Sequence, residues 1–299
     1  MVAPSSPFSE EFLRRGIRFL EGHGFCVCHR PRGTERRHGF LAGEDRHRAD
    51  ELMDMFEDPG VDALFAVRGG YGAQRLLGLL DPDRIARNPK LFLGYSDASV
   101  LIHFLVNRCL LACLHGPLAT EMGSLPPLTE RFLLRALTEP DPMGHYPVSD
   151  ARWIRTGEAT GPLIGGNLTV LCSTLGTPWE VVTEGRILFL EDSGEKPYRI
   201  DRMLMQMRQA GKFSGVAGIV FGDVLTARDR GASCADREAV LEVLRENTQD
   251  LGVPVLCGLP AGHGPENLAL PMGVQAAVGG RKGAFALLET ALTPREAPV

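Results

Sequence analysis

The sequence predicts an α/β protein with a doubly wound parallel sheet in its first half. Three short apolar runs, at residues 61–67, 91–93 and 110–114, each lead into a polar or glycine-containing loop. Helix-like segments follow the first two loops, and this alternation of strand, loop and helix is typical of parallel sheets. The 299 residues are 44% hydrophobic and 23% charged, which predicts a globular chain of about two domains.

The helices of the first half follow from capping residues and turn signals. Ser9 is a suitable N-cap for a first helix, with Glu10 and Glu11 in its first turn, and Gly22 ends it. The remaining elements are a short strand at 25–28, a polar, arginine-containing surface loop at 29–48, and helices at 49–56, 73–80, 98–107 and 129–138.

A segment rich in proline and glycine, residues 123–161, places a domain boundary near residue 150. The predicted domains are therefore residues 1–150 and 151–299. In the second, strands are predicted at 187–190, 216–221 and 253–256, helices at 167–175, 199–210 and 237–247, and closing antiparallel strands at 275–278 and 284–288. The methionine-containing face of the helix at 199–210 is predicted to be core.

Charge and composition exclude several classes of protein. A net charge of −5 argues against nonspecific binding to nucleic acids or anionic membranes. The chain has no apolar run long enough to span a membrane and no signal-peptide pattern at its start, which predicts a cytoplasmic location. Its seven cysteines are scattered without a Cys-x-x-Cys pair, so free thiols are predicted, with no disulfide framework and no metal.

Ser96 is the first candidate catalytic residue. It stands where the apolar run at 91–93 turns into the helix predicted at 98–107. Such a turn exposes a hydroxyl and directs free helix N-terminal amides at a bound group. The local sequence is Gly-Tyr-Ser-Asp, not the Gly-x-Ser-x-Gly of α/β-hydrolases, so an N-cap serine is the alternative interpretation.

A serine nucleophile needs a base and a group that orients the base. His263 lies between two glycines after the run at 253–256, which leaves its imidazole free to approach a partner. Glu191 directly follows the apolar run at 187–190, and a buried carboxylate there is costly unless it is paired. Ser96, Glu191 and His263 would then meet in a cleft between the domains.

Other interpretations of these two residues stay open on the sequence alone. His263 could be an ordinary surface-loop histidine. Glu191 could form an ion pair with Arg199 or Arg202, and Asp192 and Glu195 are rivals for the orienting acid in the same loop.

Residues 69–72, Gly-Gly-Tyr-Gly, form a loop after the first apolar run. The glycine spacing and the absence of a following Lys-Ser or Lys-Thr argue against nucleotide binding, and no cofactor is predicted. We expect the backbone amides of Gly70 and Asp97 to point at one oxygen as an oxyanion hole. The candidate substrate-binding residues are Arg68, suited to hold a carboxylate by a two-pronged contact, Tyr71, His115 and Asn167.

Nine segments spread over the chain carry a family resemblance. They are Ala-Pro-Ser-Ser-Pro from Ala3, Ala-Val-Arg-Gly-Gly-Tyr-Gly from Ala66, Gly-Tyr-Ser-Asp from Gly94, His-Gly-Pro from His115, Gly-Gly-Asn-Leu from Gly165, Ile-Leu-Phe-Leu-Glu-Asp from Ile187, Tyr-Arg-Ile-Asp-Arg-Met-Leu from Tyr198, Gly-His from Gly262 and Leu-Pro-Met-Gly from Leu270. In this order they resemble the LD-carboxypeptidases, or muramoyltetrapeptide carboxypeptidases, whose relatives include the microcin-immunity peptidases.

The resemblance implies a flavodoxin-like first domain, a smaller β-rich second domain and a homodimer. It also implies that Ser96 is the nucleophile, His263 the base and Glu191 the acid that orients it. The implied reaction, part of cell-wall peptide recycling, is hydrolysis of the L,D-peptide bond to the terminal D-Ala of a murein tetrapeptide, without a metal.

Two other functions compete with this one. The first is an amidase that cleaves aminoacyl-nucleotide antibiotics, as the immunity relatives do. It would need an aromatic side chain to stack on a base, and of the two tryptophans, Trp153 and Trp179, the latter is interpreted as part of a structural turn. The second is a noncatalytic ligand-binding protein that keeps the cleft.

Overall fold

Two β-sheets with helices packed against them form the framework of the protein. A computed structural model describes residues 1–28, 37–149, 151–224, 234–280 and 283–292. Strands and helices alternate along most of this length, which confirms the predicted α/β class. No helix within these ranges is long and apolar enough to cross a bilayer.

The strands are β1 (Ala63–Phe65), β2 (Leu91–Gly94), β3 (Cys113–His115), β4 (Gly144–His145), β5 (Arg152–Arg155), β6 (Ala159–Asn167), β7 (Ile187–Glu191), β8 (Gly218–Phe221), β9 (Val255–Cys257), β10 (Leu270–Met272), β11 (Gln275–Val278) and β12 (Phe285–Leu287). The α-helices are α1 (Glu10–Gly22), α2 (Asp45–Glu57), α3 (Pro82–Ala86), α4 (Ser99–Arg108), α5 (Pro127–Thr138), α6 (Leu168–Thr174), α7 (Pro197–Gln209) and α8 (Cys234–Thr248). Short 3-10 helices cover Ala73–Leu79, Ser96–Ala98 and Met122–Ser124.

The smaller sheet has the strand order β1-β2-β3-β10. Its first three strands are parallel, as predicted, and Val2 adds a parallel bridge to Ala66 beside β1. β10 comes from the second half of the chain and pairs antiparallel with β3, with Leu270 opposite His115. The parallel strands therefore end at one edge, where the loops after β1 and β2 meet.

The larger sheet has the order β4-β12-β11-β6-β7-β8-β9-β5. Its central strands β6 to β9 are parallel, and the predicted antiparallel pair β11 and β12 is confirmed. Every residue of β7 is buried, because neighbouring strands and apolar layers surround it. Glu191, the last residue of β7, is thus carried into the interior by its strand.

Apolar side chains fill both faces of the larger sheet. One cluster continues from the smaller sheet, with Phe92 and Leu114, to the larger one, with Phe189 and Leu256. The other face packs on α7, whose Ile200, Met203, Leu204 and Met207 are buried, so the prediction that this face is core is confirmed. The first cluster spans both halves of the chain, and the division at residue 150 stays a prediction.

Some local predictions were wrong. Residues 25–28 form no ladder, and the segment after residue 73 is a 3-10 helix. Of the loop predicted at 29–48, residues 29–36 lie outside the described residues and residues 45–48 belong to α2. Arg48 is buried rather than solvated, because the carbonyls of Pro4, Gly43 and Gly72 and the carboxylate of Asp45 satisfy its guanidinium.

The cysteines whose side chains the structure describes are all free thiols, as predicted. Cys26 and Cys28 are exposed, whereas the other four are buried: Cys109, Cys113, Cys172 and Cys257. Burial raises the pKa of the Cys109 thiol to about 12, and such thiols behave as packing groups.

Candidate active site

Ser96 lies on a sharp turn at the end of β2. Its φ is +61°, a left-handed conformation that is uncommon for a residue with a side chain. Gly69 leaves room for this turn. Any other residue there would have a Cβ atom only 3.1 Å from Ser96 Oγ, which is closer than an ordinary contact. The N-cap of α4 is Ala98 and the Ser96 hydroxyl caps neither helix, so the N-cap interpretation of this serine was wrong.

Ser96, His263 and Glu191 form one chain of hydrogen-bonded side chains. His263 Nε2 lies 3.2 Å from Ser96 Oγ, and His263 Nδ1 lies 2.7 Å from Glu191 Oε2. Ser96 comes from the smaller sheet, whereas Glu191 ends β7 and His263 lies in the loop after β9 of the larger sheet. The three side chains thus meet between the sheets, the arrangement that a serine nucleophile requires.

Arg199 and the two rival acids, Asp192 and Glu195, have other partners. Arg199 pairs with Glu195, at 3.2 Å. One oxygen of Asp192 accepts hydrogen bonds from the backbone and the hydroxyl of Thr169, both at 2.8 Å, in the first turn of α6. These contacts leave Glu191 as the carboxylate that reaches His263.

The surroundings of His263 favour its protonated form. Burial by itself would lower the pKa of the imidazole, but the hydrogen bond and the charge of Glu191, followed by the charges of Asp192 and Glu121, raise it above its usual 6.5. Glu191 is fully buried and its side chain packs against Gly262, where a Cβ atom would lie 2.7 Å from Glu191 Oε2. Gly262 has a φ of +113°, which suits glycine.

Of the two candidate oxyanion-hole residues, Asp97 follows Ser96 in the chain, and Gly70 follows Gly69, which approaches Ser96. A Cβ atom on the neighbouring Gly69 would stand 3.7 Å from the Asp97 backbone nitrogen, so the glycine loop and the Ser96 turn are in contact. The buried carboxylate of Asp97 accepts a hydrogen bond from Ala73 N at 2.8 Å. This bond ties the two loops together and fixes their relative position.

The four candidate substrate-binding residues fall into two groups. Arg68 and Tyr71 are exposed on the loop whose Gly69 approaches Ser96, and the ring centroids of Tyr71 and Phe40 lie 5.7 Å apart. His115 is fully buried and Asn167 caps α6 through a 3.1 Å bond from Val170 N. The His115 ring packs against Phe189 and Tyr95, and the expected contact of this residue with a substrate stays a prediction.

Tyr95 and Glu121 are site residues that the sequence analysis missed. The Tyr95 ring lies 4.7 Å from the His263 ring, and its hydroxyl donates to Glu121 Oε1 at 2.8 Å. Tyr95 adjoins Ser96 at a strand end, so its position was a usable signal. Glu121 has no such signal, because it lies in an irregular segment far from the other site residues in the sequence.

No cluster of three potential metal-binding side chains occurs in the described part of the chain. The Trp179 ring centroid lies 5.7 Å from that of Phe104 and 5.6 Å from Arg108 Cζ. This packing agrees with the interpretation of Trp179 as part of a structural turn.

Comparison with known proteins gives consistent matches over nearly the whole chain. Models of the LD-carboxypeptidase N-terminal and C-terminal domains match residues 1–116 and 160–278. The chain is 36% identical to a probable murein peptide carboxypeptidase of Bacillus subtilis, over 93% of this chain and 87% of the relative. A crystal structure of muramoyltetrapeptide carboxypeptidase from Oxalobacter formigenes matches with a TM-score of 0.79 at 31% identity, over 96% of each chain. The microcin C7 self-immunity protein of Escherichia coli is 27% identical, over 92% of this chain and 88% of the relative.

Proposed function

The chain belongs to the LD-carboxypeptidase family, and from this we propose that it is a serine hydrolase that cuts the L,D-peptide bond to the terminal D-Ala of murein tetrapeptides. The family resemblance predicted from the sequence motifs is confirmed, and with it membership of a family of carboxypeptidase hydrolases. The observation that carries the proposed chemistry is the chain of contacts from Ser96 Oγ through His263 to Glu191, at 3.2 and 2.7 Å.

In the proposed mechanism, Ser96 Oγ attacks the carbonyl carbon while His263 Nε2 takes the hydroxyl proton. The carbonyl oxygen becomes an oxyanion held by the amides of Gly70 and Asp97. As the tetrahedral intermediate collapses, the C–N bond breaks and His263 gives the proton to the departing D-Ala amine. A water molecule, deprotonated by His263, then attacks the acyl-enzyme. The bond from the acyl carbon to Ser96 Oγ breaks and His263 returns the proton to that oxygen, while Glu191 stabilises the imidazolium at each step.

The proposal is tested by incubating the protein with a murein tetrapeptide and measuring free D-Ala by chiral chromatography. The matched control is the same peptide with L-Ala at its end. We expect release from the first peptide and much slower release from the second. Absence of release from both peptides, together with no labelling of Ser96 by a serine-reactive phosphonate, would instead favour a noncatalytic ligand-binding protein.

We expect activity to rise with pH through a midpoint above 6.5. His263 acts as a base only when neutral, and the hydrogen bond and charges around it raise its pKa above that value. kcat/KM should therefore be lost as the medium is acidified through the raised pKa. A profile of kcat/KM against pH measures the midpoint, and one clearly below 6.5 contradicts this assignment of the base.

Gly262→Ala is expected to lower kcat by about 100-fold, since a 1 Å displacement of reacting groups has roughly this effect. The new Cβ atom would lie within 3 Å of three Glu191 atoms and would displace the His263 loop. Gly252→Ala is the matched control, because Gly252 also has a positive φ, +77°, but no atom within 4 Å of a Cβ. The control should lose about 1 kcal/mol of stability and keep its kcat; equal kcat values for both variants would contradict the prediction.

The second candidate function is cleavage of aminoacyl-nucleotide antibiotics. The similarity to the microcin C7 self-immunity protein favours it, and the exposed pair of Phe40 and Tyr71 offers a surface on which a base could stack. Incubation with an aminoacyl sulfamoyl adenylate tests this directly. A higher kcat/KM for that compound than for the tetrapeptide would identify the aminoacyl nucleotide, and not the murein peptide, as the substrate.

The homodimer and the cytoplasmic location are further proposals that rest on the family resemblance and on the sequence. Free thiols at every cysteine whose side chain is described agree with a reducing compartment. Sedimentation equilibrium at micromolar concentration measures the molar mass, and a value of one chain would overturn the dimer.

A further inference from the structure

The imidazole of His263 contacts an aromatic side chain in addition to its two hydrogen-bonding partners. The Tyr95 ring centroid lies 4.7 Å from that of His263, with the ring planes inclined by 54°. Tyr95 is 2% exposed, so its position is set by packing. Glu191 therefore holds the imidazole from the larger sheet, and Tyr95 contacts it from the smaller sheet.

Glu121 fixes the phenol end of Tyr95. Its Oε1 accepts a 2.8 Å hydrogen bond from the Tyr95 hydroxyl, and its Oε2 accepts a 3.2 Å bond from Leu118 N. The segment that carries Glu121 is itself anchored at the end of β1. There, Ala119 N donates to Ala66 O at 3.1 Å, and the Thr120 hydroxyl donates to Val67 O at 2.9 Å.

This arrangement favours a positive charge on His263. A phenol that donates a hydrogen bond to a carboxylate has a more electron-rich ring, and an electron-rich ring attracts a cation placed against it. The charges that raise the pKa of His263 are those of the Glu191, Asp192 and Glu121 carboxylates. Tyr95 also contacts His115, at 5.7 Å between ring centroids, and burial lowers the pKa of His115 to about 4, so this imidazole is neutral near neutral pH.

We propose that Tyr95 and Glu121 are a pair of positioning residues that hold the His263 ring toward Ser96 and stabilise its imidazolium during acyl transfer. The proposal rests on the proposed serine hydrolase mechanism, which makes His263 the proton carrier. It adds a second support for the imidazole, from the half of the chain that also provides the nucleophile.

The test uses Tyr95→Phe, which keeps the ring but removes the hydrogen bond, and Glu121→Gln, which keeps an acceptor but removes the charge. The control is Tyr146→Phe, which makes the same chemical change at a buried tyrosine that donates to Ala269 O at 2.6 Å and whose ring packs against Phe132 and Phe285. Two quantities are measured in the full-length protein: the His263 titration by NMR with labelled histidine, and the pH profile of kcat/KM.

Both site variants should lower kcat/KM by about threefold to tenfold. Glu121→Gln should move the His263 titration and the acidic limb of the profile to lower pH by about 0.5 unit or more. The double variant should fall short of the sum of the single effects, because both remove the same contact. Tyr146→Phe should lower the Tm but move neither the His263 titration nor the acidic limb of the kcat/KM profile.

Unchanged titrations in both site variants, or an equal shift in Tyr146→Phe, would overturn the positioning role. The NMR titration needs no substrate, so it reports on the pair even if murein peptides are not hydrolysed. Shifted titrations without any peptidase activity would support the pair and contradict the proposed function.

Discussion

Ser96→Ala is expected to lower kcat for D-Ala release by about 10⁴-fold to 10⁶-fold, the range found when serine hydrolases lose their nucleophile. The hydroxyl is the only group removed, and alanine meets the same backbone strain at a φ of +61° as serine does. We therefore expect a folded protein that no longer forms an acyl-enzyme. The measurement is D-Ala release together with mass spectrometry of the phosphonate-treated variant.

Ser99→Ala is the matched control for this variant. Ser99 lies in the first turn of α4, and its buried hydroxyl accepts a 3.3 Å bond from Asn167 N. Its loss should cost stability, about 1 to 2 kcal/mol, but leave an acyl-enzyme that forms and hydrolyses. D-Ala release by Ser96→Ala at the rate of Ser99→Ala would show that Ser96 is not the nucleophile.

Glu191→Gln is expected to lower kcat by about 10³-fold to 10⁴-fold. Glutamine fills the same buried space, but its amide carries no charge to stabilise the imidazolium and can select the wrong tautomer of His263 by donating to Nδ1. Removal of the charge also removes the main support for the raised pKa of His263, so the acidic limb of the kcat/KM profile should move to lower pH. Steady-state kinetics over a range of pH measures both effects.

Asp192→Asn tests the rival acid with the same chemical change one residue away. Because the oxygens of Asp192 bind Thr169 and Ser193, the variant should lose helix stability and at most about tenfold in kcat. A loss as large as that of Glu191→Gln would mean that the two acids act as one charged unit.

The site residues that could be predicted from the sequence share a physical signal. Ser96 and Glu191 each stand in the turn or loop at the end of a buried apolar run, and the ends of parallel strands are exposed at one edge of a sheet. His263 stands between glycines, which marked a loop with room for a side chain to turn inward. Local patterns of this kind need only a few neighbouring residues to be recognised.

The remaining features depend on partners far apart in the sequence. Tyr95 and Glu121 meet only in the folded chain. Tyr95 could have been found from its place beside Ser96, but Glu121 does not stand out in its own segment. Strand β10 has three residues and is separated from its partner β3 by about half the chain, so no hairpin signal predicts the pairing. Arg48 is read as a surface charge until the three carbonyls that surround it are brought together by the fold.

The pairing of β10 with β3 has a consequence for synthesis on the ribosome. Until residues 270–272 emerge, β3 presents an unpaired edge, which is a hazard for association with other chains. At usual rates of translation the delay after β3 is roughly 10 to 30 s, much longer than most domains need to collapse. Nascent chains stalled before residue 270 should therefore bind chaperones that shield strand edges, and chains released after β10 has emerged should not.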